Sequence, residues 1–177
     1  MSEAFRGEFT QKVDGKARVS IPAAFRRILE AGDPAAAGAP NPRPRIVMIY
    51  GDDRRQYVEC YSIAEAAVLE ARIRKLPVGS ANRRLLERNM ITLSQTVEVD
   101  EDGRVVLPPK VRDKIAIGAD DLSKGAEAVF AGVLDTFQIW KRDTYDADIL
   151  RSAEADLATL ADGVDILSLL GDASTGT

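Results

Sequence analysis

A fourteen-residue segment occurs twice in this chain, 86 positions apart. Val13-Asp14-Gly15-Lys16-Ala17-Arg18-Val19-Ser20-Ile21-Pro22-Ala23-Ala24-Phe25-Arg26 aligns without a gap on Val99-Asp100-Glu101-Asp102-Gly103-Arg104-Val105-Val106-Leu107-Pro108-Pro109-Lys110-Val111-Arg112. Six of the fourteen pairs are identical, where ordinary composition gives about one. Ile21 against Leu107 and Phe25 against Val111 keep the apolar character. A repeat of this kind constrains the fold more than any other signal, because each copy is one unit and neighbouring units must cover one another's apolar faces. The expectation is two like units related by a pseudo-twofold axis or swapped into each other.

Within the repeat the periodicity changes. Ala17, Val19 and Ile21 alternate with Arg18 and Ser20, and Gly103, Val105 and Leu107 alternate with Arg104 and Val106. Alternation with β-branched residues marks a half-buried strand, so Arg18 and Arg104 point away from the packed face. The turns before these strands, Asp14-Gly15-Lys16 and Asp100-Glu101-Asp102-Gly103, hold Asx side chains that bond local backbone and glycines that tolerate positive φ. Glu8–Val13 and Gln95–Val99 read as the incoming strands, and each copy begins as a hairpin. Pro22 and Pro108 suit the start of a helix, with Phe25, Ile28 and Leu29, then Val111 and Ile115, at helical spacing. A second hairpin closes each copy, Ile46–Tyr50 with Tyr57–Tyr61 and Glu127–Gly132 with Thr136–Trp140. Strand, strand, short helix, strand, strand is too little to bury a core alone, so the copies should share one.

Two helices join the copies. Ser62 and Glu65 form a capping box opening a helix to about Lys75, and Ser80 caps a second to about Met90, with Leu85, Leu86 and Met90 on its apolar side. The connector from Ala31 to Pro44 holds four prolines and reads as a mobile surface loop. After Trp140, Ile149, Leu150, Ala153, Leu157, Leu160 and Val164 trace one helical face, with Asp143 as its N-cap. The divisions expected are a first repeat over 7–64 containing the loop 31–45, connecting helices over 65–92, a second repeat over 93–144, and an acidic amphipathic helix and tail over 145–177.

The net charge of −4 is unevenly placed. Asp146 to Thr177 carries seven acids and Arg151 alone as a base, which leaves the remainder at +2, and Met1 to Arg27 holds six bases against three acids. A basic front on an acidic chain points toward nucleic acid. A single cysteine, Cys60, excludes an internal disulfide framework and suits a reducing compartment. It lies in a strand pattern, where a buried side chain is expected. Met1 to Phe9 lacks an apolar leader core and no run approaches 18 apolar residues, so a cytoplasmic protein without a membrane partner is expected.

Catalytic chemistry finds no footing. The chain has no histidine, the commonest general base and metal ligand, and no phosphate loop or nucleophile signature. Glu98, Asp100, Asp102 and Gly103 imitate a calcium loop, but Pro109 stands where the bidentate Glu belongs. No enzyme, cofactor, metal or small-molecule substrate is expected.

Phe5-Arg6-Gly7-Glu8-Phe9 followed by Asp14-Gly15-Lys16-Ala17-Arg18-Val19-Ser20-Ile21-Pro22 closely resembles the start of the MraZ family of bacterial transcriptional regulators. The second Asp100-x-x-Gly103-Arg104-Val105-x-Leu107-Pro108-Pro109-x-x-Arg112, and Phe137-Gln138-Ile139-Trp140, match the same family, and the likeness runs from about Phe5 to Tyr145. The resemblance implies an α+β fold of two tandem AbrB-type repeats in a swapped-hairpin β-barrel, with connecting helices and a C-terminal helix. It further implies a cytoplasmic, nucleoid-associated protein that forms rings of eight or twelve copies. Such a ring binds short direct repeats in double-stranded promoter DNA, usually as a repressor of the division and cell-wall gene cluster. The family's glycine before the first arginine is Ala17 here, so a first turn differing in detail is expected.

On this reading Lys16, Arg18, Lys12 and Arg104 are the candidate DNA contacts, and Asp14, Asp100, Gly15 and Gly103 shape the turns that carry them. An Asp14–Arg18 bridge across the turn is compatible with DNA contact, since it orients the guanidinium. Arg26 and Arg112, at helix starts, are expected to hold the unit together. The four acids Glu98, Asp100, Glu101 and Asp102 around Arg104 repel phosphate, so the first copy should read DNA and the second mainly build the assembly. The rival from another class is a ring-forming scaffold or protein-interaction module without DNA readout, served by the amphipathic tail.

Overall fold

The computed structural model describes residues 3–171, so residues 172–177 of the expected tail lie outside it. The chain divides into two compact units, Met1–Arg142 and Asp143–Thr177. The first runs β1 (Glu8–Val13), β2 (Arg18–Ser20), α1 (Ala23–Ala31), β3 (Arg45–Ile49), β4 (Val58–Ser62), α2 (Ile63–Arg74), α3 (Ala81–Leu86), a π-helical turn (Glu87–Thr92), β5 (Ser94–Glu98), β6 (Arg104–Val106), α4 (Pro109–Lys114), α5 (Ala119–Lys124), β7 (Ala126–Gly132) and β8 (Phe137–Lys141).

The eight strands make one antiparallel sheet in the order β5-β3-β4-β8-β7-β1-β2-β6. Its two end strands are consecutive in sequence, and Asp100 N–H donates to the Arg104 carbonyl at 2.8 Å, so the sheet curls into a nearly closed barrel. The halves interleave. β1 pairs along its whole length with β7, β3 with β5, β4 with β8, and β2 with β6. Each of these pairings has its counterpart when the halves are exchanged. Neither half forms its ladder alone.

Alternation sends one face of the strands inward. Val13, Val19, Ile46, Met48, Val58, Cys60, Val105, Ala128, Phe130, Phe137 and Ile139 are buried there. Phe25 of α1 sits among aromatic rings, 5.3 Å from Phe5, 5.0 Å from Phe137 and 5.4 Å from Phe9 between centroids. Edge and tilted packing of this kind adds to the burial of each ring. Leu29 follows Phe25 one turn later, and Val111 and Ile115 in and after α4 are the second half's plugs. Cys60 is fully buried, and burial pushes its thiol well above the ordinary range, so it is an inert wall residue.

Several expectations need correcting. The connector has no regular structure, as its prolines require, but it is pinned rather than loose. Asp33 is fully buried and takes hydrogen bonds from Ala35 N, Arg45 N, Arg45 Nε (2.9 Å) and Arg45 Nη2 (2.8 Å). The second half carries the extra helix α5, whose Asp121 accepts the Gly118 N–H at its start. The helix opened by Ser80 changes to the π form at Glu87 and buries none of its residues, with Leu85 on its exposed side. The π turn brings Asn89 against the β3–β4 turn, where its Oδ1 accepts the Asp52 N–H. Gly51 permits the approach, since a β-carbon there would collide with the Asn89 backbone.

In the remaining unit, α6 (Arg142–Ala158) begins one residue before the expected cap, which puts Asp143 in its first turn. An acid there still complements the helix dipole. The helix ends at Ala158, and Gly163 takes a positive φ of 76°, so Leu160 and Val164 lie past it. A 3-10 turn, Ile166–Leu170, is capped by Asp165.

Candidate nucleic-acid interface

The sequence at Asp14 dictates a local device, and Asp100 repeats it. Asp14 Oδ1 accepts N–H bonds from Lys16 and Arg18, both at 2.9 Å, and Asp100 Oδ1 accepts them from Asp102 at 2.9 Å and Arg104 at 3.0 Å. These bonds hold both carboxyls below the usual carboxylate range, the arginine backbone N–H being the first cause in each. Asp100 Oδ1 is thereby engaged by its own turn.

The residue before each arginine must then enter the left-handed region. Gly103 does so at φ 76°, and Ala17 does so at φ 62°. The expected difference between the turns is therefore absent, because Ala17 adopts the glycine's conformation. Gly15 does not supply the positive φ. It sits exposed at the tip, with the Leu122 carbonyl beside it. A β-carbon on Gly103 would meet Arg26 Nη1 at 1.9 Å, so Arg26 packs on the second turn, while Arg112 Nε donates to the Leu107 carbonyl at 3.1 Å.

The β2–β6 ladder brings the two arginines together. Arg18 lies opposite Val106, Val19 opposite Val105, and Ser20 opposite Arg104. Since the valines at the middle are buried, pleating sends Arg18, Ser20, Arg104 and Val106 out of the barrel on one face, the arginines on one diagonal. The Val13–Val19 pair sets β1 beside β2, so Lys12 joins the same outer face, opposite Ser20. Across β7 Lys12 faces Glu127, whose carboxylate also takes Arg142 Nη1 at 3.0 Å. Lys16 is exposed at the tip of the first hairpin.

The environments of the arginines differ. Arg18 Nε donates to Asp14 Oδ2 at 2.7 Å, the bridge the spacing suggested. Its terminal nitrogens make no other hydrogen bond among the described residues. Arg104 instead donates from Nη2 to Asp102 at 3.1 Å, while its buried Nε makes no hydrogen bond and stands 3.9 Å from Asp100 Oδ2. Arg43 was missed by sequence reasoning. From the connector it reaches Glu98 at 3.4 Å and Glu101 at 2.7 Å, covering two of the four acids of the second turn. A lone cation between Pro42 and Pro44 was the available signal, but nothing local says which turn it meets.

Comparison with known proteins follows the same lines. A family model for the MraZ protein, described as antitoxin-like, matches residues 90–163. The transcriptional regulator MraZ of Cereibacter sphaeroides (strain ATCC 17029 / ATH 2.4.9) is 58% identical over 170 residues, covering 96% of this chain and 97% of that protein. That of Ruegeria sp. (strain TM1040) is 47% identical over 173 residues, 98% of each. That of Natranaerobius thermophilus is 31% identical over 160 residues, 90% of this chain and 96% of the relative.

Proposed function

This chain belongs to the MraZ family, and on that premise we propose that it regulates transcription by binding double-stranded DNA through the first hairpin, with Arg18 and Lys16 foremost and Lys12 and Arg104 beside them. The observation that carries the reading is the β2–β6 ladder, which sets Arg18 and Arg104 on one outward face, with Lys12 beside them on β1 and Lys16 at the tip of the first hairpin. Side chains carried on strands can read the major groove, where a guanidinium reads guanine while lysines neutralise phosphate. Asp14 holds Arg18 by Nε alone, so the fork of terminal nitrogens is presented ready-oriented.

The finer reading takes the two halves as AbrB-type swapped-hairpin units and the working form as a cytoplasmic, nucleoid-associated ring of eight or twelve copies. The ring would repress the division and cell-wall genes through direct promoter repeats. One hairpin offers few contacts, and a ring that repeats it along direct repeats multiplies them by effective concentration. The chain acts as a regulator and not as an enzyme. Among the described residues no helix is long and apolar enough to cross a membrane.

The scaffold reading draws on the second unit, where Leu150, Leu157, Leu167 and Leu170 are exposed. A retardation assay on the DNA upstream of the chain's own gene, with and without excess nonspecific competitor, separates the two. Retention of the specific complex supports the regulator, and its loss under competitor supports the scaffold.

A further inference from the structure

Resting on the DNA-binding reading, we propose that Val106 is a base-reading residue that contacts the C5 methyl of a thymine in the major groove, working as a pair with Arg18 across the ladder. Val106 is the last residue of β6 and is 58% exposed, while its neighbour Val105 is buried. Exposed valines scattered singly over a surface carry no message, but this one has a particular address. It lies directly opposite Arg18, and Arg104 stands two residues before it on the same face. In the first half the equivalent place is filled by Ser20, so the repeat does not require an apolar residue there.

The chemistry of the face then separates two kinds of contact. A surface built only to hold phosphate has no use for an isopropyl group, which can neither neutralise charge nor donate a hydrogen bond. Base edges do use one. In the major groove the thymine methyl is the single apolar group, and small apolar side chains are its partners, while guanine O6 and N7 take a guanidinium. A ribbon that inserts Arg18 brings Val106 to a neighbouring base edge, because cross-strand partners on one face stand only about 5 Å apart. The same insertion removes both methyl-bearing surfaces from water.

Thymine-to-deoxyuridine substitution deletes that methyl and nothing else, which makes the test direct. The full chain is titrated against its own promoter fragment and against fragments in which each thymine of the footprint is replaced in turn. For the wild-type chain one replacement per site should weaken binding about fourfold, the contribution of one buried methyl. Val106→Ser, which copies the residue of the first half, should bind the thymine and deoxyuridine forms equally while keeping the wild-type mass and melting temperature. Indifference of the wild type to every replacement overturns the proposal, as does a Val106→Ser chain that keeps the fourfold ratio. Either result leaves the regulator reading standing if binding still depends on Arg18. Failure of the wild type to bind the promoter at all takes down both.

Discussion

At the first hairpin the carboxylate of Asp14 grips Arg18 through Nε and leaves the outer nitrogens to the solvent side. At the second, Arg104 turns its hydrogen bond from Asp100 to Asp102, and its buried Nε, 3.9 Å from Asp100, makes no hydrogen bond. The backbones beneath are alike in their Asx bonds and in the left-handed residue before the arginine. What differs is the decoration. Lys16 stands where the second hairpin has Asp102, and Lys12 where it has Glu98. The turn geometry asks only for an aspartate and a residue that accepts positive φ, so the remaining positions were free to change charge without changing fold. Pairing of β2 with β6 puts both arginines on one outer face, so on the proposed reading the second half would contribute to the DNA-facing surface even though its own turn is acidic.

The largest effect should come from the arginine itself. Arg18→Ala should weaken promoter binding by about tenfold to a hundredfold, the range for losing one base-directed guanidinium, with the assembly mass unchanged. Arg104→Ala should cost no more than about threefold, because Asp102 already occupies its Nη2 and such an occupied fork has less to give to a base. Equal losses in a fluorescence anisotropy titration of the two variants would break the comparison.

The connector tests the acidic side of the same contrast. Asp33, held down to about 2 mainly by the hydrogen bonds of Arg45, anchors the loop from which Arg43 reaches Glu98 and Glu101. Asp33→Ala strands the Ala35 and Arg45 N–H groups and should lower stability by about 2 kcal/mol. A carboxylate with a lowered pKa stabilises the fold above its unfolded value near 4, and that stability disappears as pH falls toward 2. Melting temperatures between pH 5 and pH 2, windows set by that shift, should therefore fall more steeply for the wild type than for Asp33→Asn. Parallel curves would remove Asp33 as the anchor.

Converting the second turn toward the first gives a smaller effect of opposite sign. Asp102→Lys places a cation where Lys16 has its counterpart and releases Arg104. Affinity should rise severalfold, and the slope of log affinity against log salt should steepen by about one for each subunit engaged. An unchanged slope would mean that the second turn never comes near phosphate.

How far these features were legible depended on how local their causes are. β1 was readable to the residue, since an Asx turn and alternating apolar positions are both written within a few residues. Ser62 as the cap of α2 was readable for the same reason. The partners of the strands were not, because the pairing of β1 with β7 and β3 with β5 is set by which apolar faces can be buried together across most of the chain. Burial of Asp33 was hidden in the same way, as its partner Arg45 lies beyond four prolines. Ala17 was misleading for a different reason: alanine gives no local sign of a left-handed conformation, and its alignment on Gly103 was the one signal that pointed to it.

That last residue yields the finest test of the two turns. An L-residue in the left-handed region costs about 1–2 kcal/mol, so Ala17→Gly relieves strain at φ 62°. It also gives back about 0.5–1 kcal/mol in unfolded-state entropy and about 0.8 kcal/mol from a methyl that is now 2% exposed. These contributions nearly cancel, and the variant should melt within a degree or two of the wild type. For Gly103→Ala the entropy gain offsets only part of the cost. The substitution incurs the same strain at φ 76° and drives its new methyl into Arg26, whose Nη1 would stand 1.9 Å away and whose Nε is already buried without a partner. The expected loss is about 2 kcal/mol, read as a clear drop in thermal midpoint. If Ala17→Gly loses as much as Gly103→Ala, the methyl of Ala17 is a packing element in its own right. The two turns would then be alike in dihedral angle only.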